Sequence, residues 1–277
     1  LFKKIAMKIE RRIKLPLHSF PKGKFYRTIQ HMSSSEPELD LAAVNAELED
    51  LTAQDRIAWA VNRFKEGLVM SSSFGLQSAV LLHLANKALP GIPVVFIDTG
   101  YLFKETYNYA ERLENLLGLN LKIYTSPITP ARHEALRGQL WKQGHKSLEE
   151  YGLVRKVEPM DRAIKELGAK LWLTGLRRQQ SSTRNELTVF ERQKNMLKLH
   201  PIVDWKDQDV DMHLIANDLP RHPLEKKGYV TVGDIHSTYI PNPGESRESA
   251  RPKDSYECGL HLTDRDNAQV PSEDFDI

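Results

Sequence analysis

The chain holds a single cysteine, Cys258, among 277 residues. One thiol excludes an intramolecular disulfide, a CxxC redox pair and a four-thiolate metal site. If Cys258 takes part in chemistry, it does so as a lone thiolate, and a covalent group it takes up has to be removed by a thiol from another molecule. It stands in Glu257-Cys258-Gly259-Leu260-His261, between a polar, proline-containing stretch and an acidic tail, a poor setting for core. Gly259 permits close approach of a substrate, and His261 and Lys253 are candidates to favour the thiolate. Long apolar runs are missing too. None nears the roughly 20 residues that span a bilayer, so no membrane role is expected. Without a disulfide framework, a reducing compartment is expected, the cytoplasm.

Acidic residues are scarce at the start. Residues 1–31 carry nine Lys/Arg and one acid, Glu10, in a chain whose formal net charge is +2. The remainder is therefore net acidic. The pI near 8.5 comes from the extension and is no argument for nucleic-acid binding by the body. The chain opens on Leu1, while Met32 begins an ordinary acidic start. An over-long start, a transit peptide and a basic arm compete for residues 1–31. A transit peptide is serine-rich and this segment has only Ser19, so the over-long start is the reading adopted.

What is present is the pattern of a globular α/β protein, with 40% hydrophobic and 27% charged residues. Leu68-Val69-Met70-Ser71, Pro93 to Asp98, Leu121 to Tyr124 and Lys170 to Gly175 read as buried strands. Helical periodicity covers residues 51–64, 77–87, 104–117, 161–167 and 208–217, with a polar helical region before the fourth strand. Strands alternating with helices imply right-handed βαβ units and a doubly wound, mostly parallel sheet. From about Pro220 the pattern fades, and Pro241, Pro243 and Pro252 mark a mobile arm ending at Cys258. The divisions expected are an extension (1–31), an α/β domain (32–240), a C-terminal arm (241–261) and a disordered acidic tail (262–277).

Three segments at strand ends suit an anionic ligand. Ser71, Ser72, Ser73, Gly75, Gln77 and Ser78 form a turn before a helix, where backbone N–H groups make an anion site. Asp98, Thr99 and Gly100 follow the second strand, with Gly100 expected to let backbone meet a flat ring. Arg177, Arg178, Ser182 and Arg184 follow the fourth strand and suit phosphate or sulfate. All three lie on one rim, the ligand-binding edge of open α/β sheets. The stretch from His222 to Thr238 has two histidines and an aspartate at irregular spacing. Turns or substrate contacts are expected there, and no metal.

Together with Lys156-Val157-Glu158-Pro159-Met160, Gly233-Asp234-Ile235-His236-Ser237-Thr238 and Glu257-Cys258-Gly259-Leu260-His261, these segments resemble the phosphoadenylyl-sulfate (PAPS) reductases. The resemblance runs from about Leu51 to His261. It implies an adenine-nucleotide α-hydrolase-like fold with a modified PP-loop, supplied by the serine turn, and makes the α/β body a nucleotide-binding domain. It implies an oxidoreductase of sulfate assimilation and cysteine biosynthesis, with PAPS as substrate, Cys258 catalytic and thioredoxin or glutaredoxin as partner, working as a homodimer. Ser71, Ser72, Ser73, Gly75, Gln77, Ser78, Asp98, Thr99, Gly100, Lys156, Arg177, Arg178, Ser182, Arg184, Lys253 and His261 are then the substrate-binding candidates. ATP-pyrophosphatase relatives carry an aspartate where this chain has Gln77, and a neutral amide is a poor magnesium ligand. Adenylyl-sulfate (APS) reductases carry paired cysteines near Lys156, whereas one thiolate cannot hold an iron–sulfur cluster. No cofactor and no metal are therefore expected. A cluster-free APS reductase and an ATP-using PP-loop adenylating enzyme remain the alternatives.

Overall fold

The computed structural model describes residues 39–242, 244–245 and 247–250. Cys258, Lys253 and His261, the extension 1–31 and the tail 262–277 lie outside the described residues, as does most of the arm 241–261. The described residues from Asp40 onward form one unit.

Two helices enter the fold, each with a polar cap. Asp40 accepts from Ala42 N and Ala43 N at the start of α1 (Leu41–Glu49), and Thr52 accepts from Asp55 N at the start of α2 (Ala53–Phe64). The chain then alternates: β1 (Leu68–Ser71), α3 (Ala79–Ala88), β2 (Pro93–Asp98), α4 (Lys104–Leu117), β3 (Asn120–Thr125) and α5 (Pro130–Arg137). Gly118 closes α4 at φ +63°, a conformation that suits glycine. Next, α6 (His145–Gly152) and α7 (Glu158–Glu166) flank one π-helical stretch, Leu153–Val157. β4 (Leu171–Leu173), β5 (Phe190–Gln193), β6 (Met196–Leu199) and α8 (Asp207–Ala216) complete the order.

The six strands lie in the order β3-β2-β1-β4-β6-β5. All neighbours are parallel except β5, which pairs antiparallel with β6. The register pairs Met70 with Val94 on one side and with Leu173 on the other, so β1 is central. From β1 the chain winds outward through β2 and β3, then returns to place β4 on the opposite flank. That reversal opens a crevice beyond the carboxyl ends of β1 and β4. On one face, Val69, Val95 and Trp172 pack against Met160 and Ala163 of α7. On the other, Phe96 meets Phe74 edge-on at 4.8 Å between ring centroids.

The four strands expected from apolar runs are all present, with ends shifted by at most two residues. The hairpin β5–β6 has no counterpart in that pattern, because Phe-Glu-Arg-Gln and Met-Leu-Lys-Leu are half polar. Its Lys198 is fully buried, with the ammonium 4.4 Å from the Trp172 ring centroid and 3.9 Å from Glu191. Only partners from other strands make such a lysine acceptable in core.

Candidate functional site

The serine turn leaves β1 at the crevice. Ser71 Oγ accepts from Trp172 Nε1 at 2.8 Å, which ties the ends of β1 and β4 together. Ser72 N donates to Val95 O at 3.0 Å, and Ser72 Oγ accepts from Phe74 N at 3.1 Å. Phe74 stands at φ +48°, a costly backbone for an aromatic residue, held by full burial of its ring. Ser73 is exposed, and Gly75 and Gln77 are half-buried. Ser78 does not cap α3: its hydroxyl donates back to Gly75 O at 2.8 Å. The first turn of α3 therefore receives no side-chain cap from it.

Asp98, at the end of β2, accepts from Gly100 N at 2.8 Å and from the Tyr107 hydroxyl at 2.7 Å. Burial and that bond to Asp98 push the Tyr107 phenol up. Gly100 adopts φ +77°, and a Cβ there would lie 2.4 Å from Pro130 Cγ. Pro130 fills the side on which a side chain at this position would stand, so glycine fits here. Thr99 is buried and its hydroxyl donates to Asp234 Oδ1.

The three arginines after β4 go three ways. Arg177 is buried and donates to Trp205 O at 3.0 Å, to Asp207 Oδ1 at 2.7 Å and to Gln77 Oε1. It knits the serine turn to the first turn of α8. Arg178 turns away to α1, with both terminal nitrogens on Glu49 at 2.8 and 3.1 Å and Nε on Leu187 O. The Glu49 bonds hold the Arg178 pKa above its ordinary value. Arg184 is half-buried, donates to Gln180 Oε1 and shares its loop with exposed Ser182 and Thr183.

Lys156 sits in the π-helical stretch, a geometry that recurs at functional sites. Its ammonium lies 2.8 Å from Asp234 Oδ2 and 5.7 Å from the Tyr151 ring centroid. Beside it, His236 stacks flat on Trp141 with centroids 3.9 Å apart, and Tyr101 and Tyr151 close the cluster edge-on or tilted. Burial pushes His236 down to about 4. His222 packs elsewhere, fully buried against Tyr109, with Thr106 Oγ1 at 3.2 Å and Leu224 N donating to Nδ1. It shapes a turn.

The rim thus brings together Ser71, Ser72, Ser73, Gly75, Gln77 and Ser78, Asp98, Thr99 and Gly100, and links Arg177 to them, while Arg178 faces α1. Sequence reasoning missed Asp207, the partner of Arg177 and Gln77, and named Asp234, the partner of Lys156 and Thr99, only within a motif and without a site role of its own. The available signal for Asp234 was an acidic residue in a Gly-Asp turn beside apolar neighbours. Among the described residues no three His, Cys, Asp or Glu side chains gather as metal ligands, and no helix is long and apolar enough to cross a membrane.

The sequence model of the phosphoadenosine phosphosulfate reductase domain matches residues 67–240. The chain belongs to this reductase family. It is 50% identical over 234 residues to the phosphoadenosine 5′-phosphosulfate reductase of Synechocystis sp., covering 83% of this chain and 94% of that one. To the enzyme of the same name from Thiocapsa roseopersicina it is 45% identical over 237 residues, covering 82% and 99%. Among solved structures, the PAPS reductase from Candida auris in a phosphate complex superposes with a TM-score of 0.63 at 30% identity, covering 71% of this chain and 95% of that one. FMN adenylyltransferase from Candida glabrata, with FAD and pyrophosphate, reaches a TM-score of 0.51 at 14% identity over 74% of each chain. That likeness shows the fold alone. The reductase family, the oxidoreductase class and the PP-loop-like α/β fold all agree with the resemblance read from the motifs.

Proposed function

We propose that the chain reduces PAPS to sulfite and adenosine 3′,5′-bisphosphate, with Cys258 as nucleophile. The observation that carries this reading is the family match across residues 67–240 in a chain with one cysteine. The Cys258 thiolate forms a bond to the sulfonyl sulfur. The bond from that sulfur to the phosphate oxygen breaks, and its electron pair stays on the departing bisphosphate. An external dithiol, thioredoxin or glutaredoxin, then attacks Cys258 Sγ and releases sulfite, and its second thiol resolves the mixed disulfide. With one cysteine, the chain has no second thiol of its own to release the sulfonate, so the reductant comes from outside.

The nucleotide lies in the crevice between β1 and β4. Its anionic groups meet the serine turn, and Arg184 with its hydroxyl neighbours holds the 3′-phosphate. Arg177 acts one step back, holding Gln77 in place. Residues 241–261 form the arm that brings Cys258, Lys253 and His261 over the rim, and residues 32–240 form the domain that binds the nucleotide. The working form is a cytoplasmic homodimer. Sulfite release from PAPS, with APS as control and with thioredoxin present or withheld, tests the reading. Sulfite from PAPS only with a dithiol supports it. Equal turnover of APS, or pyrophosphate release from ATP, contradicts it.

A further inference from the structure

Asp234 is an ionised carboxylate placed where burial disfavours it, with 1% of its surface exposed. Burial alone would push its pKa up, yet the charge of Lys156 and the hydrogen bonds from Lys156 and Thr99 hold it below the ordinary carboxylate value. Two segments of the rim meet on this one side chain. Thr99, next to the end of β2, donates to Oδ1. Lys156, from the π-helical stretch, stands 2.8 Å from Oδ2. The turn that carries Asp234 is itself locked: Ile235 N donates to Tyr101 O at 2.8 Å, Thr238 Oγ1 donates to Asp234 O at 2.9 Å, and Asp234 bridges to Leu102.

The two ends of the ion pair differ in access. Asp234 is sealed, while the Lys156 side chain is 20% exposed, so the ammonium is anchored at the edge of the site. Nearby, Arg155 is a second cation, buried, with Nε and Nη2 lacking a hydrogen-bond partner among the described residues. His236 is neutral near pH 7, Arg155 is buried with one nitrogen on Ile128 O, and Glu134 is bound by Tyr101 and Gln139. Buried ion pairs add little stability compared with apolar residues of the same size, so stability alone is a weak reason for this one. A fixed cation at the rim has a use in the proposed reaction, where negative charge builds on the phosphate oxygens as the sulfur–oxygen bond breaks.

We propose that Asp234 is a positioning residue for this reaction: it holds the Lys156 ammonium on one oxygen and Thr99 on the other, and so aims the cation at the breaking bond. No proton moves in this step. The inference rests on the reductase reading. Its test uses the full chain and three variants, Asp234→Asn, Lys156→Met and the two combined. Three quantities are measured: the single-turnover rate of sulfonate transfer from PAPS to Cys258 without reductant, the Kd for adenosine 3′,5′-bisphosphate, and the melting temperature.

Each single variant should slow transfer about a hundredfold, the usual effect of removing one preorganised charge-stabilising group, with Kd changed only a few-fold. The double variant should regain the melting temperature lost by the single ones and stay as slow as Lys156→Met alone. Recovery of the rate along with the melting temperature would show a purely structural pair and overturn the inference. So would a further hundredfold loss on adding Asp234→Asn to Lys156→Met. If Asp234→Asn does not fold, Thr99→Val keeps both charges and should slow transfer about tenfold at unchanged Kd; an unchanged rate counts against the inference. A wild-type chain that takes no sulfonate from PAPS defeats the reductase reading itself, an outcome distinct from wild-type activity that survives in the variants.

Discussion

Arg177 reaches from the loop after β4 to Gln77 in the serine turn, and Asp207 at the start of α8 accepts from both. The three residues are 30 to 130 positions apart in sequence, and together they close the crevice side at which the sheet order reverses.

Loss of Arg177 should therefore damage fold and pocket together. Arg177→Met leaves Trp205 O and Gln77 Oε1 without their donor, and a buried polar group left unpaired costs roughly 1–3 kcal/mol. A lower urea midpoint with an unchanged slope is expected, with weaker binding of adenosine 3′,5′-bisphosphate. Gln77→Ala should weaken binding with a much smaller loss of stability. Denaturation curves and titration calorimetry on both variants check this.

Cys258→Ser should abolish sulfite formation and leave nucleotide affinity near wild type, because the hydroxyl keeps the shape and loses the nucleophile. With PAPS and no dithiol, the wild-type chain should gain one sulfonate on Cys258 by mass spectrometry. Turnover by the serine variant, or an adduct elsewhere, would contradict the mechanism.

The choice between PAPS and APS should follow Arg184. Its neutralisation should cost PAPS about ten- to a hundredfold more in kcat/KM than APS, the worth of one charge-assisted phosphate contact. Arg178→Met should leave the PAPS-to-APS ratio alone, because its guanidinium is engaged by Glu49. A ratio that changes with Arg178 and not with Arg184 would move the 3′-phosphate to the α1 side.

Stability should fall on acidification through the buried histidines. Burial lowers His222 from 6.5 to about 4 in the folded chain, so below about pH 6.5 the unfolded chain binds the proton that the folded one refuses. The contribution is complete above pH 6.5 and is lost progressively as the pH drops toward 4, by about 3 kcal/mol at most. His236, also lowered to about 4, acts in the same sense. Urea unfolding of wild type and His222→Asn at pH 7.0 and 5.0 should show a smaller drop in the variant. Equal drops would rule out His222 as a source.

The parallel strands were legible because a strand covered on both faces must be apolar along its length, a property each segment carries by itself. The lone cysteine, the serine turn and the motif order were legible for the same reason, and they placed the chain among the PAPS reductases. The β5–β6 hairpin was not, since its buried Lys198 is tolerable only beneath Trp172 and beside Glu191. Nor did composition sort the three arginines, which look alike in one loop. Arg177 became an internal clamp and Arg178 a tie to α1 because Asp207 and Glu49 arrive there from other parts of the chain. Asp234 is the clearest case. Read locally, it is a turn aspartate; its role comes from Thr99 and Lys156, brought to its two oxygens from over 70 residues away by the winding of the sheet. Periodicity and motif order are properties of neighbours along the chain, whereas the partner of a buried charge is set by where distant segments meet.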